Sequence, residues 1–593
     1  MTAVPLRRAP VVLFAALLVA TGAAFFVTQR LKRSTPIVQR VFFYQYLSPN
    51  GDGRKDEVTL RFDLPKAQHV TVSLVNAEGE EVRTLADDRY MHQGTRRFGW
   101  NGRDDSGAVV PDGVYRLRVG LRSEGRSVTA PRELFVDTKP PKPRIVAVTP
   151  PAIIPGANGA LGRARIRFDG PTHVPPEVGI WRTDQGKVRE VAAFTGKRGR
   201  HSALWDGLVG GQPAPAGSYA VSVTLEDTAG NRGSAPAVLP PLHAFAVPNG
   251  GVTVSYFSLT GPLVPVKPGA IARFTVGPVG QRTRWRLAPW GRGGVIRSGS
   301  SSGSHLAVRV PAGAQSDVYS LFATSAGGRH AAWPLVVSNR GGAAPVLVVV
   351  PAMTWQGENP VDSNADGFPD TLDTGDSVPL ARPFAHGKPP QSIADSVAAL
   401  VFLGGIRANF DLTTDVALVA GHSPTLPGHR GVVFAGSERW ITPQEAVALR
   451  RFVVSGGKVA SFGQDAFRRR VLFAQGTLSK PKPPQASNIF GERTSEFSSP
   501  AAPMVTVGLD KLQLFAGTDG FFGSFTRFER SDQFGSGIEL LAGAGRGQKP
   551  DFVAYRLGRG LVARTGSDQW AGGLASSSEL RDITKRLWTL LSR

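Results

Sequence analysis

Apolar positions along the chain follow three different periods. The first is an unbroken apolar run from Val11 to Thr28, with Arg7 and Arg8 before it and Arg30, Lys32 and Arg33 after it. As a helix rising about 1.5 Å per residue it is long enough to span a bilayer. Beyond it, short runs such as HVTVSLV and YRLRVGL alternate apolar with polar residues between Gly, Asp and Pro turns. That is the period of half-buried antiparallel strands. After the Gly-rich hinge RGGAAP the period changes again. VLVVVP, GVVFAG and KVASFG are continuous apolar runs, as in strands buried on both faces of a parallel sheet. Between them lie the helical stretches SIADSVAALVFLGG and PQEAVALRRFVVS, the second capped by Thr442 with Pro443 at its first position and stopped by Gly456 and Gly457. The closing stretch ELRDITKRLWTLL places Leu580, Ile583, Leu587 and Leu590 on one helical face. These patterns predict a multidomain chain: an N-terminal transmembrane helix, β-sandwiches in series, and a C-terminal α/β domain.

A repeat sets the number of sandwiches. Trp100, Gly102, Gly113 and Tyr115 align with Trp205, Gly207, Gly217 and Tyr219, a spacing of about a hundred residues, the size of one sandwich. Tyr319 in AGAQSDVYSL falls where Tyr115 and Tyr219 fall, which adds a third unit. The expected divisions are 1–33 for a cytoplasmic tip and signal anchor, 41–140, 141–240 and 248–341 for three Ig-like sandwiches, and 343–593 for the α/β domain. A cleaved signal peptide is the alternative for the first segment, since Gly22, Ala23 and Ala24 offer a small-residue site. The apolar run continues past that site through Phe25, Phe26 and Val27, which favours an uncleaved, single-pass anchor, and basic residues on both sides leave its orientation open.

Composition narrows the chemistry. The chain has no cysteine, which excludes disulfides, thiolate metal sites and a cysteine nucleophile. A net charge of +23 comes from arginines spread through every domain, without a lysine block or an aromatic-interleaved stripe. Nucleic acid is therefore not an expected partner; a diffuse positive field suits anionic lipid head groups, wall polymers or glycans, although a composition rich in Arg, Ala and Gly throughout is the simpler source of the charge.

Four stretches, YLSPNGDGRKDEVTLRFDL, EGEEVRTL, WNGRDDSGAVVPDGVY and VDTKPP, resemble the Ig-like domain of flagellar hook-capping (FlgD-like) proteins. The likeness is close over 41–140 and looser over 141–240; it implies a spacer or assembly module of the kind found in exported proteins, which places the bulk of the chain outside the cytoplasm. Further on, VLVVVPAMTWQGEN, GIRANFDLTTDVAL, GVVFAGSERWITPQEAVALRRFVVSGGKVASFGQD and LGRGLVARTGSDQW resemble the C-terminal, glutamine-amidotransferase-like domain of the N,N-dimethylformamidase large (beta) subunit. With the strand SDVYSL, that resemblance covers most of 305–593 and implies a flavodoxin/glutamine-amidotransferase-like fold. It also implies a mononuclear iron held by two tyrosines and a glutamate, which would fall here on Tyr319, Glu358 and Glu438. Glu358 stands where the family has its second tyrosine. The family's longer run at the strand end is reduced here to Gly436, Ser437, Glu438, Arg439 and Trp440.

Candidate chemistry follows in three places. Ser437 and Glu438 are the catalytic candidates, with His422 or His429 as a base for Ser437, although AGSER departs from GxSxG at Arg439. Tyr319, Glu358 and Glu438 are hard oxygen donors that suit iron or another divalent metal. DSNADGFPDTLD places Asp362, Asn364, Asp366, the Phe368 carbonyl, Asp370 and Asp373 at the spacing of a twelve-residue calcium loop, with Gly367 at its turn. SPNGDGRKD offers Asn50, Asp52 and Asp56 as a thinner version, equally readable as a plain turn. Two functions are open: a binding or structural protein presenting a degenerate amidase-like domain, or a metal-dependent hydrolase of an amide or carbohydrate.

Overall fold

A computed structural model describes residues 9–32, 38–338 and 344–593. The RGGAAP hinge lies largely outside them, as do Arg7, Arg8 and Arg33. Strand is the dominant structure, and the N-terminal helix Ala9–Lys32 carries the apolar run Val11–Thr28, none of it buried against the rest of the chain.

The first sandwich faces a three-stranded sheet (Gln39–Phe42, Val58–Leu64, Gly94–Trp100) with a five-stranded one ordered Tyr46–Leu47, Arg126–Val136, Gly113–Leu121, Gln68–Val75, Glu81–Met91. Strict alternation over Val58–Leu64 puts Val58, Leu60, Phe62 and Leu64 inside. The second sandwich repeats this with Ser202–Trp205, Ala164–Asp169 and Arg144–Thr149 against the sheet built around Gly217–Glu226. Strand Gly251–Val254 pairs with Gly217–Ala220 and completes this second unit. The third therefore begins at Ser258, later than the sequence division at 248, and 236–250 is a linker within the second unit, between its strands Arg232–Ala235 and Gly251–Val254. The pattern VTVSYFSL concealed this because it reads as one strand while its two halves serve different sheets.

Trp100 and Trp205 are each 2% exposed. Their indole N–H groups donate to the carbonyls of Arg103 and Leu208 at 2.8 and 3.0 Å, and their rings lie 5.5 and 5.4 Å from those of Tyr115 and Tyr219. Each tyrosine hydroxyl donates to the carbonyl four residues earlier, as does that of Tyr319: Pro111, Pro215 and Gln315 accept. Trp100→Ala or Trp205→Ala should cost its own sandwich about 3–5 kcal/mol. Differential scanning calorimetry that resolves the sandwich transitions would measure this; a loss below about 1 kcal/mol at both sites would contradict the core assignment.

The C-terminal part is built on a nine-stranded mixed sheet. Five parallel strands run in the order Phe410–Thr414, Val346–Val350, Gly431–Phe434, Lys458–Ser461, Gly560–Arg564. Numbered along the chain this order is 2-1-3-4-5. Antiparallel strands Phe552–Leu557, Ile538–Gly545, Glu492–Asp510 and Phe521–Phe534 extend the far edge. Val346–Val350 is wholly buried, as its unbroken apolar run requires. Helices Ser392–Gly405 and Pro443–Val454 form where the periodicity predicts them, and Thr442 Oγ1 accepts from Glu445 N–H at the start of the second. In the last helix, Ser578–Ser592, Leu591 rather than Leu590 completes the buried face. The third sandwich shares one apolar core with this sheet; Trp333 meets Phe384 at 5.0 Å.

Candidate functional site

Strands 1 and 3 of the parallel series lie side by side, yet their chains leave in different directions, which opens a crevice at their carboxyl ends. Glu438 follows strand 3, Asp415 follows strand 2, and Glu445 lies in the first turn of the next helix. Glu438 and Asp415 are fully buried and Glu445 is nearly so. Asp415 accepts from the N–H groups of Met353 and Val416 at 2.9 and 2.7 Å. Among the described residues the oxygens of Glu438 and Glu445 have no well-formed hydrogen-bond partner. Burial, then the charges of Asp415 and Glu445, holds the Glu438 carboxyl well above the usual range. Burial likewise raises Glu445, and pushes Asp415 up to about 7 against its backbone donors. All three shifts favour the protonated carboxyl. The sequence reading found Glu438 alone; the Thr442-Pro443-Gln444-Glu445 cap was the signal for a second member.

Ser437 is half-buried, and its Oγ accepts from Gln464 N–H at 3.0 Å. His429 lies before strand 3, at the opposite end from Ser437, with Nε2 3.1 Å from Asp411 Oδ2. His422 is exposed in the same preceding segment. The serine–histidine pair considered from the sequence is thus corrected: the length of a buried strand separates nucleophile from base.

The three residues that the dimethylformamidase resemblance assigns to iron have separate partners. The Tyr319 hydroxyl donates to Gln315 at 3.1 Å, as in the other two sandwiches. Glu358 accepts from Arg439 Nη1 at 2.8 Å and Ser392 Oγ at 3.0 Å. Glu438 is sealed beside Asp415 and Glu445. No hydrogen bond or ion pair among the described residues joins any of the three to another, so they do not form the shared donor set that a ferric ion requires. Arg439 also reaches Asp373 and Asp465 at 3.4 and 3.3 Å and lies over the Trp440 ring at 4.6 Å. Beside it, burial pushes Asp395 up to about 7, helped by the charges of Asp568 and Glu358.

The loop from Asp362 to Asp373 forms a compact turn. Asp362 accepts from Asp366 and Gly367 N–H at 3.2 and 2.9 Å, Asn364 from Asp366 N–H at 2.8 Å, and Asp366 from Phe368 N–H at 2.8 Å. Asp362, Asp366 and Asp370 are buried while Asn364 is exposed. Burial and the charge of Asp366 push Asp362 up to about 7. Asp373 departs from the expected arrangement. Its carboxylate faces Arg439 and Arg469 instead of the loop, because two guanidiniums outcompete a site whose shorter Asp arm must reach back from position twelve. The SPNGDGRKD segment is a joint between sandwiches: Asp56 takes the N–H groups of Gly51 and Gly53 at 2.7 Å, while Asn50 Nδ2 and Lys55 Nζ donate to Asn231 and Thr228 of the second unit.

Comparison with known proteins gives two partial matches. The family described as N,N-dimethylformamidase beta subunit-like, C-terminal, matches residues 303–496, and the FlgD Ig-like domain matches 48–125. No curated protein matches the chain. Among solved structures the chain is similar to a β-galactosidase from Rahnella sp. R3, at 14% identity over 42% of this chain and 31% of that one, TM-score 0.24. It is similar to trypsin-activated α-2-macroglobulin from Escherichia coli, at 10% identity over 60% and 28%, TM-score 0.18. FlgD from P. aeruginosa aligns at 18% identity over 23% of this chain and 89% of that one, TM-score 0.13. The chain thus spans less than a third of the β-galactosidase and macroglobulin chains.

Proposed function

We propose that the chain is a membrane-anchored, extracytoplasmic protein whose Ig-like modules hold a degenerate amidase-like domain away from the bilayer, where it binds or scaffolds instead of hydrolysing. The observation that carries this reading is Arg439, whose guanidinium pairs with Glu358, the residue that stands where the resemblance expects a second metal-binding tyrosine. The 2-1-3-4-5 order of the parallel strands supports an α/β fold of the flavodoxin and glutamine-amidotransferase kind. The excess of arginine favours anionic wall polymers or glycans as the surface partner. The loop Asp362–Asp373 is the proposed site of a divalent cation, calcium by its sequence spacing.

A metal-dependent hydrolase of an amide or carbohydrate is the second reading. It is favoured by Asp395, a carboxyl titrating near neutrality beside Asp568 and Glu358, which suits a general acid.

Removing residues 1–33 should release a folded, soluble ectodomain, because among the described residues only Val11–Thr28 has the length and hydropathy of a span. Flotation on a density gradient checks this. An ectodomain that still floats with membranes would contradict a single anchor.

A further inference from the structure

The linker 236–250 brings a histidine to the acidic loop. Its short turn His243–Phe245 lays the His243 ring on Phe368, with centroids 5.1 Å apart and planes 21° from parallel. Nε2 then stands 3.5 Å from Asp366 Oδ2. One donor atom each from His243, Asp366 and Asp370 lies within 4.8 Å of the others, the one such group of His, Asp or Glu among the described residues. Asp370 is 3% exposed and gives Oδ2 to Ser363 N–H at 2.6 Å. Its side chain lines a cavity of about 650 Å³ together with His243, Asn364, Asp366 and Asp376.

This donor set differs from a calcium loop in two respects. Asp373, which calcium would take at position twelve, is held by Arg439 and Arg469. In its place stands an imidazole nitrogen, a ligand that calcium rarely uses and zinc prefers. Ligand atoms around a tetrahedral zinc with bonds of about 2.0–2.2 Å stand roughly 3.3–3.6 Å apart. The His243–Asp366 separation of 3.5 Å falls in that range.

The loop is also built into a domain joint. Asn249 and Gly251 N–H donate to the carbonyls of Asn364 and Ala365 at 3.0 and 2.8 Å, and Thr183 Oγ1 donates to that of Gly367 at 2.5 Å. Gly367 has φ +89°, and a Cβ there would lie 2.5 Å from Ala220 Cα, so the contact admits only glycine.

We propose that His243, Asp366 and Asp370 bind Zn²⁺, and that the ion clasps the linker of the second sandwich to the C-terminal domain. The proposal rests on the reading of this loop as a cation site and replaces its ion. Fixing His243 to the loop pins the linker, so zinc protects 236–250 from proteolysis as well as binding.

The test uses the full chain in detergent, free of any histidine tag and stripped with chelator. It is titrated calorimetrically with Zn²⁺ and, separately, with Ca²⁺, alongside His243→Ala and Asp370→Asn. The expected result is one Zn²⁺ per chain, bound at least tenfold more weakly by either variant, with slower linker cleavage in zinc only for the parent. Calcium binding indifferent to His243→Ala, without zinc binding, would overturn the clasp and leave the calcium loop standing. Binding of neither ion would overturn both. A circular dichroism melt of His243→Ala matching the parent's shows that any loss is of the site and not of the fold.

Discussion

Arg564→Met lowers the stability of the C-terminal domain by about 3–5 kcal/mol, the usual loss when one partner of a buried ion pair is removed. Arg564 ends parallel strand 5 and is 2% exposed. It holds Glu492 Oε1 at 2.6 Å, the Glu529 carbonyl at 2.7 Å and Glu529 Oε2 at 3.4 Å; both glutamates are fully buried. Asn488 and Thr494 add hydrogen bonds to the two carboxylates at 2.9 and 2.7 Å. Even so, burial pushes Glu529 up to about 7. Methionine fills most of the volume and returns none of the charge, so Glu492 is left uncompensated in a low-dielectric interior. Urea unfolding followed by tryptophan fluorescence measures the loss. Arg564→Met combined with Glu492→Gln should recover part of it, and a single variant within about 1 kcal/mol of the parent would contradict a dry network.

The second large effect is a fall in stability as pH rises from about 5 to 8. A carboxyl whose folded value is raised binds its proton more tightly in the folded chain than in the unfolded one. Its contribution is fully present below the unfolded value near 4 and is lost as pH rises through the folded value. For Asp415 that value is about 7, and Glu438 and Glu445 shift in the same direction. Each pH unit traversed above the unfolded value withdraws about 1.4 kcal/mol per group until the folded value is reached. Asp551, raised to about 6, adds the same sign. Glu438→Gln keeps the shape without the charge and should flatten the profile most. Denaturant midpoints at pH 5, 6, 7 and 8 would show this; stability that rises with pH would contradict it.

Much of the architecture was legible because burial on both faces and burial on one face write different periods. VLVVV and the HVTVSLV type of run therefore separated parallel from antiparallel strands, and the Trp–Tyr repeat counted the sandwiches. The long hairpin Glu492–Asp510 with Phe521–Phe534 escaped because its outer residues are Ser, Thr and Arg and its register shifts at several points. The site was less legible. Glu438 was visible at a strand end, but Asp415 reaches it only because strand 2 lies across strand 1 from strand 3, and Glu445 only through the first turn of the helix that follows strand 3. His243 sits in PLHAFAVPNG, a stretch with no periodicity to mark it. Arg439 looked like a simple departure from a nucleophile motif; only its three carboxylate partners give it a role.

The proposal that this domain binds instead of hydrolysing is tested most directly by loading the purified ectodomain with ferric or ferrous iron and assaying the same sample for dimethylamine release from N,N-dimethylformamide. The account predicts substoichiometric iron, no phenolate-to-iron band in the visible spectrum and no turnover. One iron per chain with that band, lost together with turnover in Tyr319→Phe, would contradict it.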